Sequence, residues 1–194
     1  MPYESLDWQG AGINHLAWIT KLEHNGKNLY PVLQKRVEEN PALYEKDPVR
    51  FEKMKHLGAF VTESSGHTSE YTPYFRKRPE LLKKYTRAGY LGESGFYANN
   101  WPTWREEALQ ELKDIMAGKE AFTLERGPEY ASHIIEAMET DKPVVIYGNV
   151  ANTGLISNLP QDGVVEVACL VDKKGIQATY FGAIPTQLAN LDRQ

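Results

Sequence analysis

Apolar and polar positions change rhythm late in the chain, and that change sorts the predicted elements into two sets. The first half reads as helical and polar. Residues 28–40 and 48–57 carry apolar positions three and four apart. The second of these stretches is framed by Asp47 as N-cap, Pro48 in the first turn and Gly58 just past the end. Further helices are predicted from about Pro79 through Tyr85 and, in WPTWREEALQELKDIMAG, from near Pro102 to a stop at Gly118. Glu106 and Glu107 fall in the first turn of the latter, where they suit the positive end of its dipole. In PEYASHIIEAMET, Tyr130, Ile134, Ile135 and Met138 share one face of another helix. From Pro143 the pattern turns to strands: PVVIYGNV, GVVEVACLVD and IQATYFG, the last two joined as a hairpin around Lys173-Lys174-Gly175. Helices followed by strands predict an α+β fold, with helices packed on an antiparallel or mixed β-sheet, and exclude a repeating βαβ arrangement.

Composition removes several classes of function. In 194 residues, 22 Lys and Arg stand against 26 Asp and Glu, a net charge of −4. That balance lacks the cationic surplus with which nucleic-acid binders displace counterions from phosphates. With 41% hydrophobic residues the chain can bury a core. No apolar run approaches the roughly 20 residues that cross a bilayer, so no membrane partner is expected. MPYESLDWQG shows no secretory pattern, and a lone Cys169 cannot form an internal disulfide, so a reducing cytoplasm is the default compartment. The same count rules out an all-cysteine metal cage, and Cys169 itself, inside a predicted strand, reads as a core thiol. Glycine-rich phosphate loops, H-E-x-x-H and G-x-S-x-G are all absent.

Four clusters carry chemistry. In Ala11–Trp18, His15 and Asn14 sit within an apolar, aromatic stretch, where the imidazole is either a hydrogen-bonded core residue or a metal ligand. Thr62–Tyr71 is almost wholly composed of hydroxyl, carboxylate and imidazole side chains. It reads equally as a solvated loop or as a surface offering partners to a polyhydroxylated ligand. In Tyr147–Pro160, Asn149, Asn152 and Asn158 either shape turns or present amides to sugar hydroxyls. The run Arg76-Lys77-Arg78 reads as a solvated charged face that could also hold an anion.

GINHLAW, FVTESSGHTSEYTPYFRKRPEL, ERGPEYASHIIEA and YGNVANTGLISNLPQDGVVEVACLVDKKGIQATYFGAIPTQLA, in that order, resemble the C-terminal portion of the α-galactosidases of glycoside hydrolase family 4. The resemblance covers nearly the whole chain. It implies a fold similar to the C-terminal domain of lactate dehydrogenase and an α-galactoside substrate. It also implies a redox-assisted elimination dependent on NAD and on Mn(II) or another divalent metal. By the same resemblance His15 matches the metal ligand, Asn14 a residue near metal and sugar, and Tyr71 the base that removes a ring proton, with Tyr74 as its alternative. Asn149 matches a sugar contact, and Glu63 and His67 are further candidate contacts.

Family members carry an N-terminal Rossmann domain for NAD and a cysteine metal ligand upstream of GINH, and neither motif occurs in this sequence. The resemblance therefore implies that residues 1–194 are the substrate- and metal-binding domain, shortened at both ends and inactive in isolation. Apolar surface meant for a missing neighbour would favour a homo-oligomer. Two other classes stay open: a non-catalytic carbohydrate-binding or interaction module, and a different metal-assisted hydrolase built on His15, His67 and a carboxylate such as Glu63 or Glu70.

Overall fold

A computed structural model describes residues 5–127 and 129–194, with Tyr90 described through its backbone alone. It opens on strands: β1 (Leu6–Ile13), β2 (Leu16–His24) and β3 (Lys27–Asn28). The expectation of a helical first half is corrected here. β1 and β2 pair antiparallel along their whole length, with Ile13 opposite Leu16, so Asn14-His15 is the entire loop. β2 and β3 are joined by Asn25-Gly26, both with positive φ (51° and 72°). That left-handed pair gives the two-residue turn whose twist matches the strands it joins, and Asn-Gly is its strongest sequence signal. Gly12 sits where a Cβ would lie 2.6 Å from both the Ala17 Cα and the Leu16 carbonyl oxygen, so only glycine allows this close approach of the hairpin strands.

The middle of the chain is helical as expected: α1 (Tyr30–Glu39), α2 (Pro41–Tyr44), α3 (Pro48–Leu57), a short β4 (Phe60–Val61), α4 (Ser65–Glu70) and α5 (Pro79–Tyr85). α3 has the predicted limits and ends on left-handed Gly58 (φ 79°). Asp47 stands at its N-cap position, but its carboxylate accepts hydrogen bonds from the Ser65 hydroxyl and Arg50 (2.8 Å), not from a helix N–H. α6 (Phe96–Met116) begins six residues before its predicted start and carries Pro102 inside. One lost hydrogen bond at Pro102 is offset by Phe96, Tyr97 and Trp104, which pack edge to face with centroids 5.3–6.3 Å apart across the first turns. α7 (Ala131–Thr140) follows; Pro128, in the segment predicted for it, lies outside the described residues.

The predicted strands appear as β5 (Val144–Ala151), β6 (Val164–Asp172) and β7 (Gly175–Ala178), ahead of α8 (Thr186–Asp192). All seven strands join one antiparallel sheet in the order β3-β2-β1-β6-β5, with β4 added to β2 and β7 to β6. The α+β expectation holds. β6 alternates strictly: Val165, Val167, Cys169 and Val171 point to the core, where they meet Trp18, Ile146, Ala137 of α7 and Leu188 of α8. Each fully buried large side chain there contributes about 1.5–3 kcal/mol. Cys169 is the core thiol expected, and burial pushes its pKa up. The alternate positions of β6 face the other side, where Trp8 stacks on Tyr147 (4.8 Å, 19°).

Two of the three asparagines of Tyr147–Pro160 are structural. The buried Asn152 amide donates to the carbonyls of Ile156 (3.0 Å), Leu159 (3.2 Å) and Pro160 (2.9 Å), while its oxygen accepts the Ile156 N–H (2.9 Å). Asn158 pins Ile184 through both of its backbone groups (2.8 and 3.1 Å). Asn152→Ala strands buried backbone groups and is expected to cost about 2–4 kcal/mol in urea unfolding. A loss below about 1 kcal/mol would show that the loop does not depend on this brace.

Candidate functional site

Two segments 48 residues apart build the site. The first is the β1–β2 turn, which presents Asn14 and His15; the latter has φ 63°, a left-handed conformation that histidine adopts more readily than most residues. The second is the polar stretch after β4. Val61 pairs with Trp18, and the Thr62 N–H donates to the Ala17 carbonyl (2.9 Å), so the chain leaves the sheet edge beside the His15 turn. Ser64 then caps α4 by accepting the His67 N–H (3.3 Å). One turn of helix brings His67 back over Glu63 and carries Tyr71 to the helix end.

The Glu63 carboxylate meets the His15 Nδ1 through Oε2 and lies 3.2 Å from the His67 Nδ1 through Oε1. Donor atoms of His15, Glu63 and His67 all fall within 4.8 Å of one another, which makes them a candidate metal cluster. The Tyr71 ring stacks on the His15 imidazole (4.8 Å, 14°) and remains 56% exposed. His67 stands edge-on to His15 (5.5 Å, 82°) and stacks with Tyr97 of α6, whose hydroxyl is 3.5 Å from its Nε2. Burial pushes the Glu63 carboxyl up, but the hydrogen bonds from His15 and from the Ser64 N–H (2.6 Å), with the nearby His67, outweigh it and hold the group below the usual carboxylate range.

The hydroxyl-rich stretch is for the most part the helix α4. Its buried hydroxyls are satisfied from within: Ser65 donates to Asp47, Ser69 to the Gly66 carbonyl (2.6 Å) and Thr72 to the Thr68 carbonyl (2.8 Å), while Lys53 donates to the Thr68 carbonyl (3.1 Å). Tyr71, at the end of the stretch, is half-exposed and stays open. Arg76 of the basic run is likewise structural, donating to the Ser69 hydroxyl (2.9 Å) and the Gly92 carbonyl (2.8 Å) and pairing with Glu70 (3.2 Å).

Of the residues singled out in the sequence, His15, Asn14 and Tyr71 are brought together. Asn149 is exposed on β5, with its strand register opposite Glu166 of β6, which in turn pairs with Gly12 of β1. Tyr74 does not reach His15; it packs edge-on to Phe75 (6.3 Å) and lines a separate apolar cavity of about 450 Å³ with Lys53, Tyr85 and Leu191. Glu166 was not anticipated. Burial pushes its carboxyl up, the charge of His15 opposes that, and Glu63 adds to it, which places Glu166 within electrostatic reach of the cluster. Its signal was a single carboxylate in the otherwise apolar alternation VVEVACLV.

A cavity of about 320 Å³ adjoins the cluster, lined by Asn14, Tyr71, Thr72 and Asp192 among others. Asp192 ties α8 to β2 by accepting the Trp18 indole N–H (3.0 Å), and its second oxygen is buried without a partner. Burial pushes this carboxyl up to about 7 and the neighbouring Lys53 down to about 8.

A family model described as the family 4 glycosyl hydrolase C-terminal domain matches residues 10–194. The chain belongs to glycosyl hydrolase family 4. It is 41% identical over its full length to an alpha-galactosidase of Bacillus subtilis (strain 168), and 34% identical over 95% of its length to an alpha-galactosidase of Rhizobium meliloti (strain 1021). It spans only 44% and 39% of those two proteins. Among solved structures, a putative glucosidase, lplD, of Bacillus subtilis shares the fold with a TM-score of 0.75 at 22% identity, covering 98% of this family 4 chain and 45% of that one. A 6-phospho-alpha-glucosidase from gut microorganisms, solved in complex with NAD and Mn2+, matches with a TM-score of 0.67 at 18% identity, over 98% of this chain and 45% of its own. Among the described residues no helix is long and apolar enough to cross a membrane.

The raised Asp192 carboxyl has a signed consequence. The folded chain holds a proton that the unfolded chain releases between the ordinary value of 3.8 and about 7, so stability is greatest below that window and declines as pH rises through it. Wild type is therefore expected to lose stability relative to Asp192→Asn between pH 4.5 and 8 in urea titrations. A difference that does not change with pH would contradict it.

Proposed function

We propose that this chain is the sugar- and metal-holding portion of an NAD- and Mn(II)-dependent α-galactosidase acting on α-galactosides. The observation that carries the reading is the stack of Tyr71 on His15, with Glu63 and His67 closing the same corner. The two alpha-galactosidase relatives support the choice of sugar.

An imidazole suits a borderline divalent ion, and His15, at the corner where Glu63 and His67 meet it, would hold that ion. Bound there, the ion supplies Lewis-acid polarisation of the sugar oxygens beside it. Tyr71 acts as the base. A phenol serves as a base beside a cation that favours its phenolate, and Tyr71 lies against His15, the residue that would hold one. Asn14, in the turn, and Asn149, on the sheet, offer amides that both donate to and accept from ring hydroxyls. The cavity between Asn14 and Tyr71 lies at the small end of the range of ligand pockets, which fits a single sugar ring.

Among the described residues no glycine-rich turn leads from a strand into a helix to cradle the NAD pyrophosphate, and no step of this chain runs through the cofactor. NAD is assigned to a part of the enzyme corresponding to the remaining length of the relatives, and the cytoplasm, on the single Cys169, to its compartment.

The convergence of His15, His67 and Glu63 also favours a second reading, a metal-assisted hydrolase that needs no NAD. Glu70 falls outside that cluster, paired with Arg76. An aryl α-galactoside assay separates the two. The isolated chain is expected to bind Mn(II), to bind galactose more tightly with the metal than without it, and to give no turnover with Mn(II), NAD and a reductant. Turnover without NAD would replace the first reading with the second, and turnover that requires NAD would refute the assignment of NAD to a segment outside these residues.

The chain is further proposed to form a homo-oligomer. No residue of α6 is buried, and Trp101, Leu112 and Met116 along it are 63%, 53% and 80% exposed. Most of a helix's stability in a protein comes from packing one face, and α6 packs none of its residues into the core. Light scattering at micromolar concentration is expected to show a dimer or larger species that Leu112→Glu weakens. A clean monomer for wild type would count against it.

A further inference from the structure

The two histidines of the cluster differ in what their ring nitrogens are free to do. His67 is engaged on both sides, by Glu63 at Nδ1 (3.2 Å) and by the Tyr97 hydroxyl at Nε2 (3.5 Å). His15 meets Glu63 at Nδ1 and, among the described residues, makes no other hydrogen bond. Glu63 is itself heavily committed: Oε2 to His15, and Oε1 to the Ser64 N–H (2.6 Å) and His67. A carboxylate has about four acceptor sites, and three are taken by groups of this chain.

We infer that Glu63 is a positioning residue that locks His15 in the tautomer with its proton on Nδ1, leaving Nε2 as the lone pair a divalent cation takes. This rests on the reading of His15 as a metal-holding residue. A neutral imidazole carries one proton and one lone pair, and whichever nitrogen faces a carboxylate becomes the donor. The carboxylate is rigidly aimed, because Glu63 lies between the β4 pairing and the Ser64 cap of α4. A strained turn residue alone would leave the ring free to rotate. Held by Glu63 on one edge and stacked under Tyr71 on its face, the ring of His15 keeps a single orientation. Glu166 makes no hydrogen bond to His15 among the described residues, so it does not compete for Nε2. Carboxylates behind metal-bound histidines act in this way, raising ligand basicity and fixing the tautomer.

The test is histidine nitrogen NMR on the whole metal-free chain at pH 8, with His15 assigned by its disappearance in His15→Gln, followed by Mn(II) titrations. The expected wild-type result is a proton on Nδ1 and a bare Nε2 at His15. Glu63→Ala is expected to mix the tautomers and weaken Mn(II) binding by about 10–100-fold. Glu63→Gln, whose amide oxygen still accepts from Nδ1, is expected to keep the tautomer and bind within about tenfold of wild type. A proton on Nε2 in wild type overturns the inference without reference to any variant. Glu63→Gln that keeps the tautomer yet binds as poorly as Glu63→Ala overturns it too, since Glu63 would then be a ligand itself. Separately, His15→Gln that binds Mn(II) as well as wild type refutes the metal reading of His15, and the wild-type tautomer still reports on Glu63.

Discussion

Two residues of β4 paired against β2 hold the site together. Phe60 and Val61 lie opposite Ile19 and Trp18, and this short antiparallel contact is what delivers Glu63, His67 and Tyr71 to a turn that precedes them by 48 residues or more. The contact is small, but its side chains are not: Trp18 and Val61 are fully buried in the main core, and Arg50 grips the Val61 carbonyl with two guanidinium nitrogens (3.0 and 2.9 Å). A one-residue slip would turn Val61 out of the core, so the hydrophobic term enforces the register that chemistry needs.

Beneath the site the fold tolerates an expensive arrangement. Lys53 and Asp192 are both withdrawn from water yet form no direct ion pair, with Trp18 between them donating to Asp192 and lying 5.8 Å from the Lys53 ammonium. Both groups are driven towards their neutral forms by burial, and each holds an element in place, Lys53 the end of α4 through Thr68 and Asp192 the final helix through Trp18. The outcome is a corner whose walls come from α3, α4, α8 and the hairpin, with polar side chains engaged by one another.

Much of this was legible beforehand wherever local chemistry is decisive. Pro48 and Gly58 bracket α3 where predicted, because a proline in the first turn and a glycine in the left-handed region are conformational requirements independent of tertiary context. The alternation in GVVEVACLVD and the Lys173-Lys174-Gly175 turn were equally plain. Asn25-Gly26 signals the β2–β3 turn, but the first hairpin, β1–β2, turns at Asn14-His15 and is hidden because LDWQGAGI dilutes its alternation with glycines that serve close packing. Pro102 reads as a helix start because prolines favour that position, whereas aromatic packing upstream carries the helix through it.

By itself the sequence determined the residue types, the local turns and caps, the alternation of β6 and, through four motifs in order, a resemblance to family 4, because each of these depends on neighbours within a few positions. Only the tertiary structure decided that Tyr71 and not Tyr74 lies on His15, that Asn152 is a brace while Asn149 stays exposed, and that Glu166 stands within reach of the cluster. These distinctions depend on which strand edge meets which, and no periodicity along the chain encodes a contact whose partners are brought together by burial of a shared core.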